Sequence, residues 1–163
     1  MDKQLMDKPL VAHASMTIEV PVDKVWHALV TPEIVRRYMF GAQVISDWNE
    51  GSPILWKGEW KGKPYEDKGV IVRSDRNKLL CYTHWSPLSG TPDIPENQHT
   101  VTIELVAQGG RTHVSLAQDN NQSEDERVHS EKNWTTMLNG LKKAAESGSD
   151  KSGTDRSSGS LRL

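Results

Sequence analysis

Six histidines, His13, His27, His84, His99, His113 and His129, are the side chains best suited to move protons near neutral pH. None stands in a His-x-His or His-Glu-x-x-His spacing, so no short zinc motif is present and no metal site is expected. One pair shares a geometry. His84 is in phase with Leu80 and Tyr82, and His99 is in phase with Val101 and Ile103. If these runs pair as neighbouring strands with Tyr82 roughly opposite Val101, His84 falls opposite His99. Both would then point to the concave side of a sheet. Two imidazoles there would be acid–base groups or hydrogen-bond donors to a ligand. The plain alternative is a pair of solvated strand-end histidines, and a one-residue slip would turn one of them outward.

The other reactive groups offer less. Glu19, Glu59 and Glu104 fall on the polar phase of their strands and read as solvent-facing charge. Asp67 and Arg73 share a phase on one strand and would enter the same cavity if that phase faces inward. No nucleophile–base arrangement stands out. Cys81, between Leu80 and Tyr82, reads as a buried, inert thiol. Arg36 and Arg37 read as solvated surface, or as attraction for an acidic ligand at a pocket entrance. Gly109-Gly110 is a hairpin turn and no phosphate loop, because no helix follows it.

The aromatic residues point to binding. The chain has six Trp, three Tyr and one Phe. Trp combines a large apolar body with one N–H that needs a partner when buried. Trp56, Trp60, Tyr82, Trp85 and Trp134 are expected either to line a cavity for an apolar or aromatic ligand or to fill the core. The two overlap if the cavity is itself walled by core residues.

Positioning these side chains requires a sheet and a helix. Ala12, Ala14, Met16, Ile18 and Val20 alternate with polar residues, the period of a half-buried strand. Pro21 can open a helix through Val22, Val25, Trp26 and Leu29. Thr31-Pro32 opens a second, short helix that Gly41 breaks. Five stretches then read as strands: Gln43 to Trp48, the run through Ile54, Trp56 and Trp60, Gly69 to Ser74, Leu79 to Trp85, and the run through Val101 and Leu105. After Gly109-Gly110, Thr112 through Gln118 is a sixth. Residues 86–97 hold three prolines and a glycine and read as a loop. Ser123 and Glu126 have capping-box spacing. They begin a long helix whose stripe is Trp134, Leu138, Leu141 and Ala145, which Ser147-Gly148 is expected to end. Six consecutive strands joined by turns imply an antiparallel sheet, which can curve around that helix.

Composition bounds the rest. The chain has 163 residues, 35% hydrophobic and 26% charged, with a formal net charge of -2, which suits one domain. Residues 147–163 contain only two large apolar residues, Leu161 and Leu163, too few to offset the entropy of ordering them. The expected organisation is an N-terminal extension over 1–9, a folding unit over 10–146 and a disordered tail over 147–163. No apolar run approaches the ~20 residues of a membrane span. The N-terminus lacks an apolar signal core. One cysteine rules out an internal disulfide, and near-neutral charge gives no reason to bind nucleic acid. A cytoplasmic protein without a cofactor is expected.

Four segments carry a family resemblance. IEVPVDKVWHALVTPEIVRRYM at Ile18–Met39, WNEGSPILWKGEW at Trp48–Trp60, KGVIVRSDRNKLLCYTHW at Lys68–Trp85 and EKNWTTMLNGLKKAAE at Glu131–Glu146 stand in order. Together they resemble the activator-of-heat-shock-protein-90-ATPase homologue family, in the START-like (SRPBCC) helix-grip superfamily. The resemblance implies an α+β, Bet v-like fold. About seven antiparallel strands would curve around the long C-terminal helix, with two short helices after the first strand and a cavity between sheet and helix. Where relatives commonly show a Trp pair after the second helix, this chain has Tyr38-Met39, which reshapes one pocket wall. Tyr38 and Leu138 therefore join Trp56, Trp60, Tyr82, His84, Trp85, His99 and Trp134 as expected pocket residues.

The superfamily includes ligand binders, cyclases and dehydratases, and co-chaperone domains, so fold alone does not fix function. The leading expectation is a binding protein for a small apolar or amphipathic molecule. A cyclase, dehydratase or hydrolase acting through a cavity His or carboxylate is the first alternative. A module that engages a chaperone or regulator protein is the second.

Overall fold

The computed structural model describes residues 10–150. The expected extension over 1–9 and the tail from 151 onward lie outside the described residues. The chain runs β1 (Ala12–Ile18), α1 (Val22–Val30), α2 (Pro32–Tyr38), β2 (Gln43–Ile45), β3 (Pro53–Trp60), β4 (Lys63–Asp75), β5 (Leu79–His84), β6 (His99–Gln108), β7 (Arg111–Gln118) and α3 (Glu124–Asp150). The seven strands form one antiparallel sheet in the order β1-β7-β6-β5-β4-β3-β2. This is the helix-grip architecture: an open, curved sheet with the long helix against it and two short helices after the first strand.

Local chemistry explains the elements. In β1, Ala12, Ala14 and Ile18 are buried, and His13, Ser15 and Glu19 around them are exposed. Pro21 takes the N-cap position of α1 in an extended conformation, where its missing N–H costs nothing. Thr31 occupies the N-cap of α2, but its hydroxyl lies 3.2 Å from His27 Nδ1 and makes no capping bond. At α3 the capping box is a variant. Ser123 Oγ accepts from Glu126 N at 3.1 Å, while the Glu126 carboxylate accepts from Gln122 N in place of Ser123 N. The helix continues to Asp150, past Ser147-Gly148. Helix ends fray over about a turn, so weak helix formers there do not set a sharp stop.

The core lies between the concave face of the sheet and the three helices. Ile18, Ile54, Ile71, Leu80, Val101, Ile103, Val114 and Leu116 face Leu138 and Leu141, all fully buried. Helix α3 also seals the free edge of β1, which would otherwise offer unpaired backbone groups to another chain. The Glu131 carboxylate accepts from His13 N at 3.0 Å, and that of Glu146 accepts from Glu19 N at 2.8 Å. Lys142 Nζ donates to Thr17 O at 3.3 Å.

Candidate functional site

An inner and an outer hollow between the sheet and the helices differ in size. The inner one is an apolar slot of about 20 Å³, walled by Tyr38, Val44, Ile54, Trp56 and Tyr82 among others. That is room for about one water. The expected cavity is therefore nearly filled, because Leu29, Val35, Leu80 and Ile103 close in on the same space. The outer one is a groove of about 160 Å³ between the end of α2 and helix α3, lined by Met39, Phe40, Gln118, Ser130, Asn133, Trp134 and Met137. Met39 and Met137 line both. Phe40 is 73% exposed at the groove, on a turn held in left-handed backbone at Phe40 (φ 57) and Gly41 (φ 79).

A polar row crosses the concave face beside the slot. The pairing expected from phase is observed: Tyr82 lies opposite Val101, and His84 opposite His99. The two imidazole centroids are 6.5 Å apart. His84 Nε2 lies 2.9 Å from Asp67 Oδ2, with the side chains 30% and 15% exposed. The carboxylate accepts, so the ring proton sits on Nε2. Asp67 Oδ1 is buried with no hydrogen-bond partner among the described residues. His99 Nδ1 lies 2.9 Å from the Asp119 carbonyl oxygen and 3.1 Å from Gln118 Nε2. At the end of the row, the Trp134 indole N–H donates to Gln118 Oε1. Strands β4, β5, β6 and β7 and helix α3 thus each supply one member.

The aromatic side chains connect row and slot. Trp56 stands edge-on to His84 at 5.0 Å between centroids and 5.3 Å from Tyr82. Burial, with the neighbouring Cys81 adding to it, pushes the Tyr82 phenol well above its ordinary range. Burial does the same to Tyr38, whose hydroxyl donates to Ala28 O at 2.7 Å. Both phenols are neutral near pH 7, and neither supplies a general base.

Of the expected pocket residues, the structure gathers Tyr38, Trp56 and Tyr82 on the slot, His84 and His99 on the polar row, and Trp134 on the groove. Leu138 is fully buried in the core beneath them. Two expectations are corrected. Trp60 shares the phase of Trp56 but is 56% exposed, because β2 pairs with β3 only as far as Lys57 and the hairpin tip overhangs. Lys61 Nζ lies 5.4 Å from its ring. Trp85 bridges to Lys68, on the phase opposite His84, so it faces the other side of the sheet. A third correction separates Asp67 from Arg73. The register shifts between Ile71 and Arg73, so Asp67 turns inward and Arg73, 57% exposed, reaches Glu50 at 3.8 Å.

Sequence reasoning missed Phe40, Met137 and Gln118 as groove residues. Gln118 left a signal: it shares the phase of the buried Val114 and Leu116, which marks an inward polar group. Arg36 and Arg37 are exposed and Cys81 is buried, as read. Among the described residues, no three His, Cys, Asp or Glu side chains are placed to hold a metal, and no helix is long and apolar enough to cross a membrane.

Comparison with known proteins fits this geometry. The sequence profile of a family described as Activator of Hsp90 ATPase homolog 1-like protein matches residues 19–146. The solution structure of ChR145 from Cytophaga hutchinsonii is 56% identical, with a TM-score of 0.75 over 86% of this chain and 96% of that one. NE0264 from Nitrosomonas europaea is 19% identical, with a TM-score of 0.69 over 86% and 96% of the two chains. The Aha1 dimer from Colwellia psychrerythraea is 20% identical, with a TM-score of 0.66 over 85% and 97%. No curated protein matches the sequence significantly.

Proposed function

The chain belongs to the Activator of Hsp90 ATPase homolog 1-like family, and from that premise we propose that it binds a small apolar or amphipathic molecule between the sheet and helix α3. The observation that carries this reading is the shared wall. Met39 and Met137 alone among the flexible side chains line both the inner slot and the outer groove. Methionine is unbranched, with three rotatable bonds, and repacks at low cost. Ligand pockets usually span about 300–1,000 Å³. Turning the two thioethers and the exposed Phe40 outward would join slot and groove into one pocket that opens to solvent beside Trp134. Trp56 and Tyr82 would offer the ligand aromatic walls, and the imidazole row a polar end. A cytoplasmic site of action belongs to the same proposal.

Native mass spectrometry of the protein purified from its own host tests this, together with methyl spectra of protein labelled at methionine. The expected result is a copurifying small molecule that denaturation releases, whose return shifts the Met39 and Met137 methyl signals together. If no molecule copurifies, and amphiphiles leave both methyls unmoved, the reading fails. Association with a second protein would then favour the interaction module instead.

A further inference from the structure

We propose that the polar end of this pocket selects ligands that carry a hydroxyl group, an alcohol or a phenol, over ligands that carry a carboxylate. This inference rests on the ligand-binding reading above and deepens it. The row's hydrogen-bond polarity sets this preference. His84 donates its Nε2 proton to Asp67 at 2.9 Å, which leaves a lone pair on Nδ1. The Asp119 carbonyl can only accept, so its 2.9 Å contact places the His99 proton on Nδ1 and a lone pair on Nε2. Gln118 Nε2 also approaches that Nδ1 at 3.1 Å, held there by the grip of Trp134 on the amide oxygen. With the ring nitrogen already protonated, the amide's hydrogen bond runs instead to Asn121 Oδ1 at 3.4 Å.

Two facing imidazoles therefore each keep an acceptor nitrogen, on rings 6.5 Å apart. Asp67 Oδ1 adds a third acceptor, buried and unpartnered among the described residues. Two cations of β4 pair elsewhere: Lys68, on the opposite phase from Asp67, with Asp93, and Arg73 with Glu50. With both imidazoles neutral, a cluster of acceptors with one carboxylate and no lysine or arginine paired to it complements a donor and repels an anion. The Trp56 ring packs against both His84 and Tyr82, so a ligand whose apolar body lay along Trp56 in the opened slot would carry its end group toward the imidazoles.

The test is calorimetric titration at pH 8 with three probes that share one apolar body: 2-naphthol, 2-methoxynaphthalene and 2-naphthoate. Ring-nitrogen spectra of the wild-type histidines are recorded in parallel. The free protein should show the proton on Nε2 of His84 and on Nδ1 of His99. Naphthol should shift His84 Nδ1 and His99 Nε2, and bind about fivefold tighter than the methyl ether, the size of one added neutral hydrogen bond. Naphthoate should bind more weakly than either. The double substitution His84→Leu, His99→Leu should abolish the preference for naphthol over the ether. If that variant does not fold, the wild-type spectra and affinities decide alone. Equal affinity for naphthol and ether, tighter binding of naphthoate, or unmoved ring nitrogens overturns the proposal while the ligand-binding reading stands. If no probe binds, this proposal falls, and the copurification and methionine spectra decide the ligand-binding reading.

Discussion

Gly140 sets how closely helix α3 approaches α2, and Gly140→Ala tests that spacing. A Cβ placed at Gly140 would lie 2.6 Å from Tyr38 Cβ and 3.4 Å from Tyr38 Cα. The atom it meets is the stem of a side chain and cannot swing aside. Tyr38 is also pinned at its far end by the 2.7 Å bond from its hydroxyl to Ala28 O. Two effects oppose each other. Alanine in a helix interior is favoured over glycine by about 1 kcal/mol. Against that stand an overpacking cost of about 1–3 kcal/mol and about 1 kcal/mol if the buried tyrosine hydrogen bond is strained. The collision wins, with a net loss of about 1–3 kcal/mol and a fall in Tm of about 3–9 °C. Urea unfolding measures the loss, with the slope expected to stay that of the wild type. Asn139→Ala, exposed and next in the helix, isolates propensity and should gain a few tenths of a kcal/mol. A Gly140→Ala protein as stable as the wild type would refute the close-contact account. It would also remove the reason to treat the Tyr38 wall of the slot as fixed.

Two further outcomes follow from burial and charge. Trp56→Ala removes a buried ring beside the slot and should cost about 3–5 kcal/mol, whereas Trp60→Ala at the exposed hairpin tip should stay within about 0.5 kcal/mol. Chemical denaturation that gave the reverse order would reject the corrected placement of Trp60. The β1 edge should loosen in acid. The His13 N–H and then Arg127 hold the Glu131 carboxyl below its ordinary value of 4.5. Burial pushes Glu146 up, but Lys142 and the Glu19 N–H outweigh it and the net shift is downward. A depressed folded value contributes stability above the ordinary value, and that contribution is lost as pH falls through the folded one. Hydrogen exchange at His13 and Glu19, corrected for intrinsic rate, should quicken as pH drops below about 4.5. Unchanged protection down to about pH 3 would show that the carboxylates do not hold the edge.

The sequence made phase legible and left reach illegible. Alternation alone placed His84 opposite His99, because each sits in step with apolar neighbours that must face the core. The same alternation put Trp60 with Trp56 and could not show that β2, three residues long, leaves the last residues of β3 uncovered. Strand length depends on which neighbours exist, and that is a tertiary fact. The bulge after Ile71 is a second such case. One irregular residue divides β4 into a stretch that aims Asp67 inward and a stretch that aims Arg73 out, and nothing in the local composition marks the break.

Volume is a further step removed. Trp-rich strand faces and a long amphipathic helix describe an open grip equally well whether its centre is hollow or filled. Here it is filled by side chains whose positions depend on one another: Leu29 and Val35 from the short helices, Leu80 and Ile103 from the sheet, and Met137 from α3. Two of the slot's wall residues, Met39 and Met137, belong to the residue type that repacks most cheaply. On the proposed ligand-binding reading, the 20 Å³ slot is the closed member of a pair of states. The proposed opening would turn three side chains, Met39, Phe40 and Met137, and would leave the sheet as it is. The polar row is different in kind. Its members are placed by strand register and by hydrogen bonds to Asp119 and Trp134, so the proposed opening would leave it in place. On that reading, specificity would be built on the sheet side of the cavity, and access to it on the side of the two methionines and Phe40.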